Sequence, residues 1–263
     1  MKNKLDASGF HVFKNYISKR YSKNLFKVFL NYCRFYCPNL FVTSYKNEWL
    51  NTNFNNQLIK LRKNNPKIFA AIYNSFARSS AMYQFCYDSG LNKLAAVILD
   101  EDKENLGIRD PILRIDVPSD KRNTYGWHQD STYSKLHTNP KNEIICWLPL
   151  VNTNKKNGTL IVKPRSHIIN KNVSYSKSKE EKYKSKQFLI KKKFLNKFKS
   201  SQINVKANSV LASYANLFHK SGFNYSNKVR FTIVVRFYKV LVDDYVYYRE
   251  NIKDIKKYST HLI

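Results

Sequence analysis

The chain reads as a helical first part joined near residue 110 to a β-rich second part that closes into a sandwich or small barrel. Three observations carry this. Segments 24–36 and 65–87 repeat apolar residues at mixed spacings of three and four, which puts them on one face of a helix. From about Pro111 onward the apolar runs are short, alternating or β-branched, and separated by turn residues, as strands are. Several short strands with turns between them favour a closed or two-layered β architecture.

In chain order, Pro38 and Pro66 punctuate the helical part, since proline ends or starts a helix but does not continue one. The strands follow at 112–117, 143–151, 158–162, 208–214 and 231–242. The run 112–117 alternates, 158–162 follows a Lys155-Lys156-Asn157-Gly158 turn, and 231–242 has the composition of an interior strand. Residues 170–199 are rich in Lys, Ser and Glu and read as a solvated insertion, part helix and part loop. Residues 243–263 form a polar tail, with a short helix expected within 251–263. The organisation expected is one domain over 1–263: a helical part at 1–108, a β core at 109–242 with an insertion at 168–200, and the tail.

At 263 residues, with 43% hydrophobic and 15% aromatic content, the chain can bury a core, which excludes general disorder. Lys and Arg number 47 against 18 acidic residues, a net charge of +29. Such a charge suits an anionic partner. The excess is mostly Lys, alongside abundant Asn, Ile, Tyr and Phe, the set that an AT-rich genome favours, and it is spread through the chain. The basic, aromatic stretch 16–36 admits a membrane-surface or nucleic-acid helix, or a helix that buries its apolar face and leaves its Lys in water. Cys33, Cys37, Cys86 and Cys146 are too few for a disulfide framework and lack zinc-site spacing, so reduced thiols are expected. No apolar leader opens the chain and no run of about 18 apolar residues occurs. A cytoplasmic location is expected.

The chemistry is framed by Trp127-His128-Gln129-Asp130 and, far downstream, Phe218-His219-Lys220-Ser221-Gly222. On an extended strand, residues i and i+2 share a face, so His128 and Asp130 can meet one metal ion while Gln129 points away. His219 can supply the third ligand from a strand folded back across the core. Two imidazoles and a carboxylate suit a borderline divalent metal, and are the set that holds non-haem Fe(II) with open positions for a co-substrate and O₂. Arg230 follows His219 by eleven residues, at the start of a β-run. A guanidinium there can grip a carboxylate in a bidentate fork. Arg236 shares its face by parity and is the rival; Arg114, on an early strand, can also reach the cleft.

Trp127 to Ser131, then Cys146-Trp147-Leu148-Pro149-Leu150, then Asn157-Gly158-Thr159-Leu160 through Pro164-Arg165-Ser166-His167, then His219, Ser221, Gly222, Asn224 and Arg230 stand in register. In this order the chain resembles the phytanoyl-CoA dioxygenase family of Fe(II)- and 2-oxoglutarate-dependent oxygenases, over about residues 110 to 240. The resemblance implies a mainly β fold with a helical cap: a double-stranded β-helix (a jelly roll, cupin-like) flanked by N-terminal helices. It implies iron on His128, Asp130 and His219. It implies 2-oxoglutarate held by Arg230 with help from Ser221, beside Trp147. The family reaction uses O₂ to hydroxylate an unactivated carbon while 2-oxoglutarate becomes succinate and CO₂. Halogenating relatives carry a small residue at the position of Asp130, so the carboxylate here favours hydroxylation or desaturation. Arg165 stands where the family's turn has a permissive glycine.

His167, closing that turn, reads as structural. His137 falls in a polar loop, and His11 and His261 lie near the termini. The substrate expected is a small or carrier-linked molecule, for which Lys in the loops hints at an anion. Two other readings compete: a nucleic-acid demethylase of the same chemistry, suggested by the charge, and a non-catalytic basic binding protein. No dedicated nucleic-acid motif is found, and oligomeric state is not readable.

Overall fold

A computed structural model describes residues 2–134, 137, 139–177 and 187–244; the expected helix within 251–263 lies outside them. The first part is helical: α1 (Lys2–Ser8), α2 (Lys19–Tyr36), α3 (Thr52–Asn64), α4 (Pro66–Ala77), α5 (Ser80–Asp88) and α6 (Leu91–Leu99). Their starts are written in side chains. Ser18, Asn51, Asn65 and Ser79 each accept a hydrogen bond from a backbone N–H of the first turn, satisfying a donor the helix itself leaves free. Pro66 opens α4, where its missing N–H costs nothing. The periodic segment 65–87 is therefore two helices, divided at Arg78 and Ser79.

The second part holds β2 (Leu106–Asp116), a short α7 (Ser131–Ser134), β3 (Glu143–Pro149), β4 (Leu160–Val162), β5 (Tyr175–Lys177), β6 (Phe188–Ile190), a short α8 (Lys192–Leu195), β7 (Ser201–Ile203), β8 (Val210–Tyr214), β9 (His219–Ser221) and β10 (Arg230–Lys239). One strand comes from the helical part: β1 (Phe10–Phe13) pairs with β8. The large antiparallel sheet runs β1-β8-β3-β10-β2, and a small sheet runs β7-β4-β9. The insertion adds the hairpin β5-β6 and α8. Helix contributes more residues than strand, because the helices of the first part are nearly continuous whereas the strands of the second are short. The expectation of a mainly β chain thus holds for the second part alone.

Period-two alternation assigns the faces of the large sheet. Ile144, Cys146 and Leu148 of β3 and Phe231, Ile233, Val235 and Phe237 of β10 join the core made with the helices. There Phe26, Phe29, Trp49 and Phe54 interlock, and Phe231 meets the rings of Trp49 and Phe54 with centroids 4.9 and 6.1 Å away. Full burial of each such ring stabilises by roughly 2–3 kcal/mol. The opposite face, with Ile145, Trp147, Leu211 and Val234, packs against Leu160 and Val162 of the small sheet.

On β2 this alternation changes phase. Val234 pairs with Ile112, but Arg236 pairs with Arg109, so two residues, Asp110 and Pro111, stand opposite Val235. This is a β-bulge, and Asp110 takes φ +47° to make it. Ile112, Arg114 and Asp116 face the small sheet by one parity, and Arg109 reaches the same side by the other.

His167 is buried, with Nε2 2.8 Å from the Asp6 carbonyl and its ring stacked on Tyr214. It is a structural residue, as the sequence suggests. His137 packs near Asp244 and the ring of Tyr238. All four cysteines are free thiols. No helix among the described residues is long and apolar enough to cross a membrane.

Arg165 keeps the turn of the glycine it stands in for: its φ is +68°. A left-handed L-residue costs about 1 kcal/mol or more. Arg165→Gly is expected to raise the unfolding free energy by about 1 kcal/mol in urea titrations; a loss of stability would mean that contacts of the arginine side chain outweigh its backbone strain.

Candidate metal centre

The N–H of His128 donates to the carbonyl of His219 at 2.9 Å, and the N–H of His219 donates back to His128 at 3.1 Å. This reciprocal bridge lengthens the small sheet by one residue beyond β9. Residues so paired project their side chains to the same side, and the two imidazole centroids lie 4.2 Å apart. Asp130, two residues beyond His128, falls on that side too, just before α7 begins. Gln129 points away and is fully used: its amide donates to the carbonyls of Lys171 and Asn216 and accepts from the N–H of Val173.

His128, Asp130 and His219 are buried, and each offers a ligand atom within 4.8 Å of the others. Nε2 of His128 is 3.6 Å from one Asp130 oxygen, and Nε2 of His219 is 4.0 Å from the other. Each imidazole is held from behind by the carbonyl two residues earlier: Nδ1 of His128 lies 2.7 Å from the Gly126 oxygen, and Nδ1 of His219 lies 2.9 Å from that of Leu217. A carbonyl only accepts, so Nδ1 carries the proton and the Nε2 lone pairs turn inward, as metal binding requires. Burial lowers the His219 pKa to about 4, so its ring stays neutral near pH 7. Burial alone would raise the pKa of Asp130. Arg236 and the two histidines instead hold it well below the usual carboxylate range.

The triad opens onto a cavity of about 290 Å³. Trp147 and Ser221 are on its wall, and the Ser221 hydroxyl accepts the N–H of Tyr125. Two arginines weighed in the sequence are there as well. Arg236 donates to Asp130 at 3.2 Å. Arg114 donates to Asp116 at 3.0 Å and to the Asn123 carbonyl.

Arg230 is placed differently. It is 4% exposed and not among the wall residues. Its Nε and Nη2 donate to the Asp116 carboxylate at 3.2 and 2.8 Å, and its Nη1 donates to the Gly222 carbonyl at 3.1 Å. The fork expected for an exogenous carboxylate thus holds an internal one. Burial would push the pKa of Asp116 up, yet Arg114 and Arg230 together keep it below the ordinary value. Asp116 was not singled out in the sequence, although it alternates in register with Arg114. Arg109 was also missed, because nothing local announces the bulge that turns it inward. Tyr73, Tyr125 and Tyr133 complete the polar wall; in a chain with 19 tyrosines no signal could have picked them out.

A family model described as Phytanoyl-CoA dioxygenase (PhyH) matches residues 51–232. Among solved structures, the chain is similar to the non-heme monooxygenase ThoJ in its apo form, at 14% identity, covering 90% of this chain and 76% of that one with a TM-score of 0.58. It is similar to the epimerase SnoN, solved in complex with Fe3+, alpha ketoglutarate and nogalamycin RO, at 10% identity, 90% and 82% coverage and a TM-score of 0.61. It is also similar to SnoK, a non-heme alpha ketoglutarate dependent carbocyclase from nogalamycin biosynthesis, at 11% identity, 90% and 82% coverage and a TM-score of 0.56. At these identities the likeness is one of fold. No curated protein matches the chain.

Asp116→Ala would strand two buried guanidinium groups. It is expected to lower the unfolding free energy by about 3–5 kcal/mol, with a smaller loss for Asp116→Asn, which keeps an acceptor. Urea denaturation of the three proteins measures both; equal stability of all three would show that the Arg114–Asp116–Arg230 cluster is not a stabilising unit.

Proposed function

Since the chain belongs to the phytanoyl-CoA dioxygenase family, we propose that it is an Fe(II)- and 2-oxoglutarate-dependent dioxygenase. In this reading the chain is a single cytoplasmic oxygenase domain, its two sheets form a double-stranded β-helix, and its substrate is a small or carrier-linked molecule. The observation that carries the proposal is the triad itself: two imidazole Nε2 lone pairs and one carboxylate, converging within 4.8 Å on the wall of a cavity.

The donor set fits the metal. Two imidazole nitrogens and one carboxylate oxygen would hold a divalent metal and cancel one of its two charges. The oxidising chemistry, which no side chain here can supply, would come from ferrous iron with 2-oxoglutarate and O₂, yielding succinate and CO₂.

The rest is the work of the chain. The carbonyls of Gly126 and Leu217 orient the imidazoles. Arg236 holds one oxygen of Asp130, which steadies the carboxylate against rotation. Trp147, Leu160 and Val234 line the cavity with apolar surface and limit water. We assign the distal carboxylate of 2-oxoglutarate to Arg230, with Ser221 and Trp147 beside it. Asp116 competes for that guanidinium, so Arg114, which meets Asp116 from the cavity wall, is the partner that can release it. The oxidation favoured is hydroxylation, because Asp130 leaves no ligand position for a halide.

Anaerobic addition of Fe(II) and 2-oxoglutarate should produce a visible metal-to-ligand charge-transfer band in the wild type and none in His128→Ala or Asp130→Ala. Absence of the band in the wild type would sink the proposal. In the same titration Arg230→Ala should weaken 2-oxoglutarate at least about 10-fold, the scale expected for loss of a charge-assisted fork. A larger loss in Arg114→Ala than in Arg230→Ala would transfer the role to Arg114.

A further inference from the structure

A chain of net charge +29 would be expected to line its cavity with free cations. It does not. Among the described residues no lysine lies on the cavity wall. Each guanidinium on the wall, or bonded to it, already has an acid. Arg109 donates to Glu143 at 2.7 Å and to Asp110 at 3.1 Å. Arg114 and Arg230 share Asp116, at 3.0 and 2.8 Å. Arg236 holds Asp130 at 3.2 Å. Four cations meet four anions, and the formal charge of this shell is zero.

That balance constrains what can enter. A divalent metal adds two positive charges and 2-oxoglutarate removes two, so the loaded cavity is neutral again. Among the described residues, a further anion would face no unpaired cation on this wall, and a further cation no unpaired anion. Either would be desolvated without compensation, the costly case. Outside the metal triad, the remaining polar groups of the wall are uncharged: Tyr73, Asn123, Tyr125, Tyr133, Ser213 and Ser221. Ile112, Ile145 and Leu160 line it as well. Such a wall suits hydroxyl or carbonyl groups on an apolar skeleton.

We propose that the portion of the substrate entering this cavity is uncharged: an apolar framework bearing hydroxyl or carbonyl groups, with no carboxylate, phosphate or ammonium. This rests on the oxygenase reading. Among the described residues, the lysines that dominate the net charge lie off the cavity wall.

The test uses the full chain loaded anaerobically with Fe(II) and 2-oxoglutarate. The probes are matched fragments, each an alcohol, ester or glycoside paired with its carboxylate or phosphate counterpart. Binding is read from the charge-transfer band and by ligand-observed NMR. The expected result is that neutral members bind and their anionic partners bind at least about 10-fold more weakly. Equal or tighter binding of the anionic members, or binding by neither set, overturns the inference while the band still stands. Failure of the band itself removes the oxygenase reading first and this inference with it. Glu143→Gln should free Arg109 and raise anionic-fragment affinity about 10-fold. Asp110→Asn, at an exposed position, should produce a smaller gain and serves if the buried variant does not fold. No gain in either variant would show that ion pairing does not set the selectivity.

Discussion

Two backbone hydrogen bonds between His128 and His219 set the geometry of everything around them. They join segments 91 residues apart into one antiparallel bridge. Because a bridged pair shares a face, the bonds that align the backbone also bring the imidazoles together. Asp130 needs no bridge of its own, since alternation carries it to the same side. The two supporting carbonyls belong to Gly126 and Leu217, each two residues before the histidine it holds. Ligand position, tautomer and orientation all follow from one short piece of ladder.

The large sheet divides its labour along β10. Odd residues from Phe231 to Phe237 are packed into the helical core, while Arg230, Val234 and Arg236 turn toward the small sheet. One face anchors the strand in aromatic contacts, and the other presents arginines to the acids that face them. The helices contribute mainly by fixing this strand. Asn55 of α3 accepts the N–H of Val229 at 2.7 Å, just before β10 begins.

Much of this was legible in the residues. The triad could be read from His128-Gln129-Asp130 and His219 because strand parity is local and the chemistry of the ligands is specific. The textures of the two halves followed from periodicity, and the structural role of His167 from its turn. What escaped depended on pairing across long separations. Nothing near Phe10 announces that it pairs with Ser213, and nothing near Arg230 announces Asp116. Arg230 was read as a free fork because its chain neighbours leave it free; its partner sits 114 residues earlier. The net charge, summed over a sequence, carries no position; in the folded chain Asp110, Asp116, Asp130 and Glu143 stand beside the arginines that turn inward.

The bulge at Asp110 and Pro111 separates β2 into halves that can vary apart. The inner half, Ile112 to Asp116, keeps step with β10 beside the metal ligands. The outer half, Leu106 to Arg109, is one residue out of step. A β-branched residue at 110, which disfavours the left-handed backbone held there, would straighten the bulge, rotate Arg109 toward the helices and bring Ile108 to the cavity rim, leaving Arg114 and Asp116 where they are. A single-codon change could thus exchange a charged lip for a greasy one without disturbing the metal ligands, which offers a short evolutionary route to a new clientele on an old reaction centre.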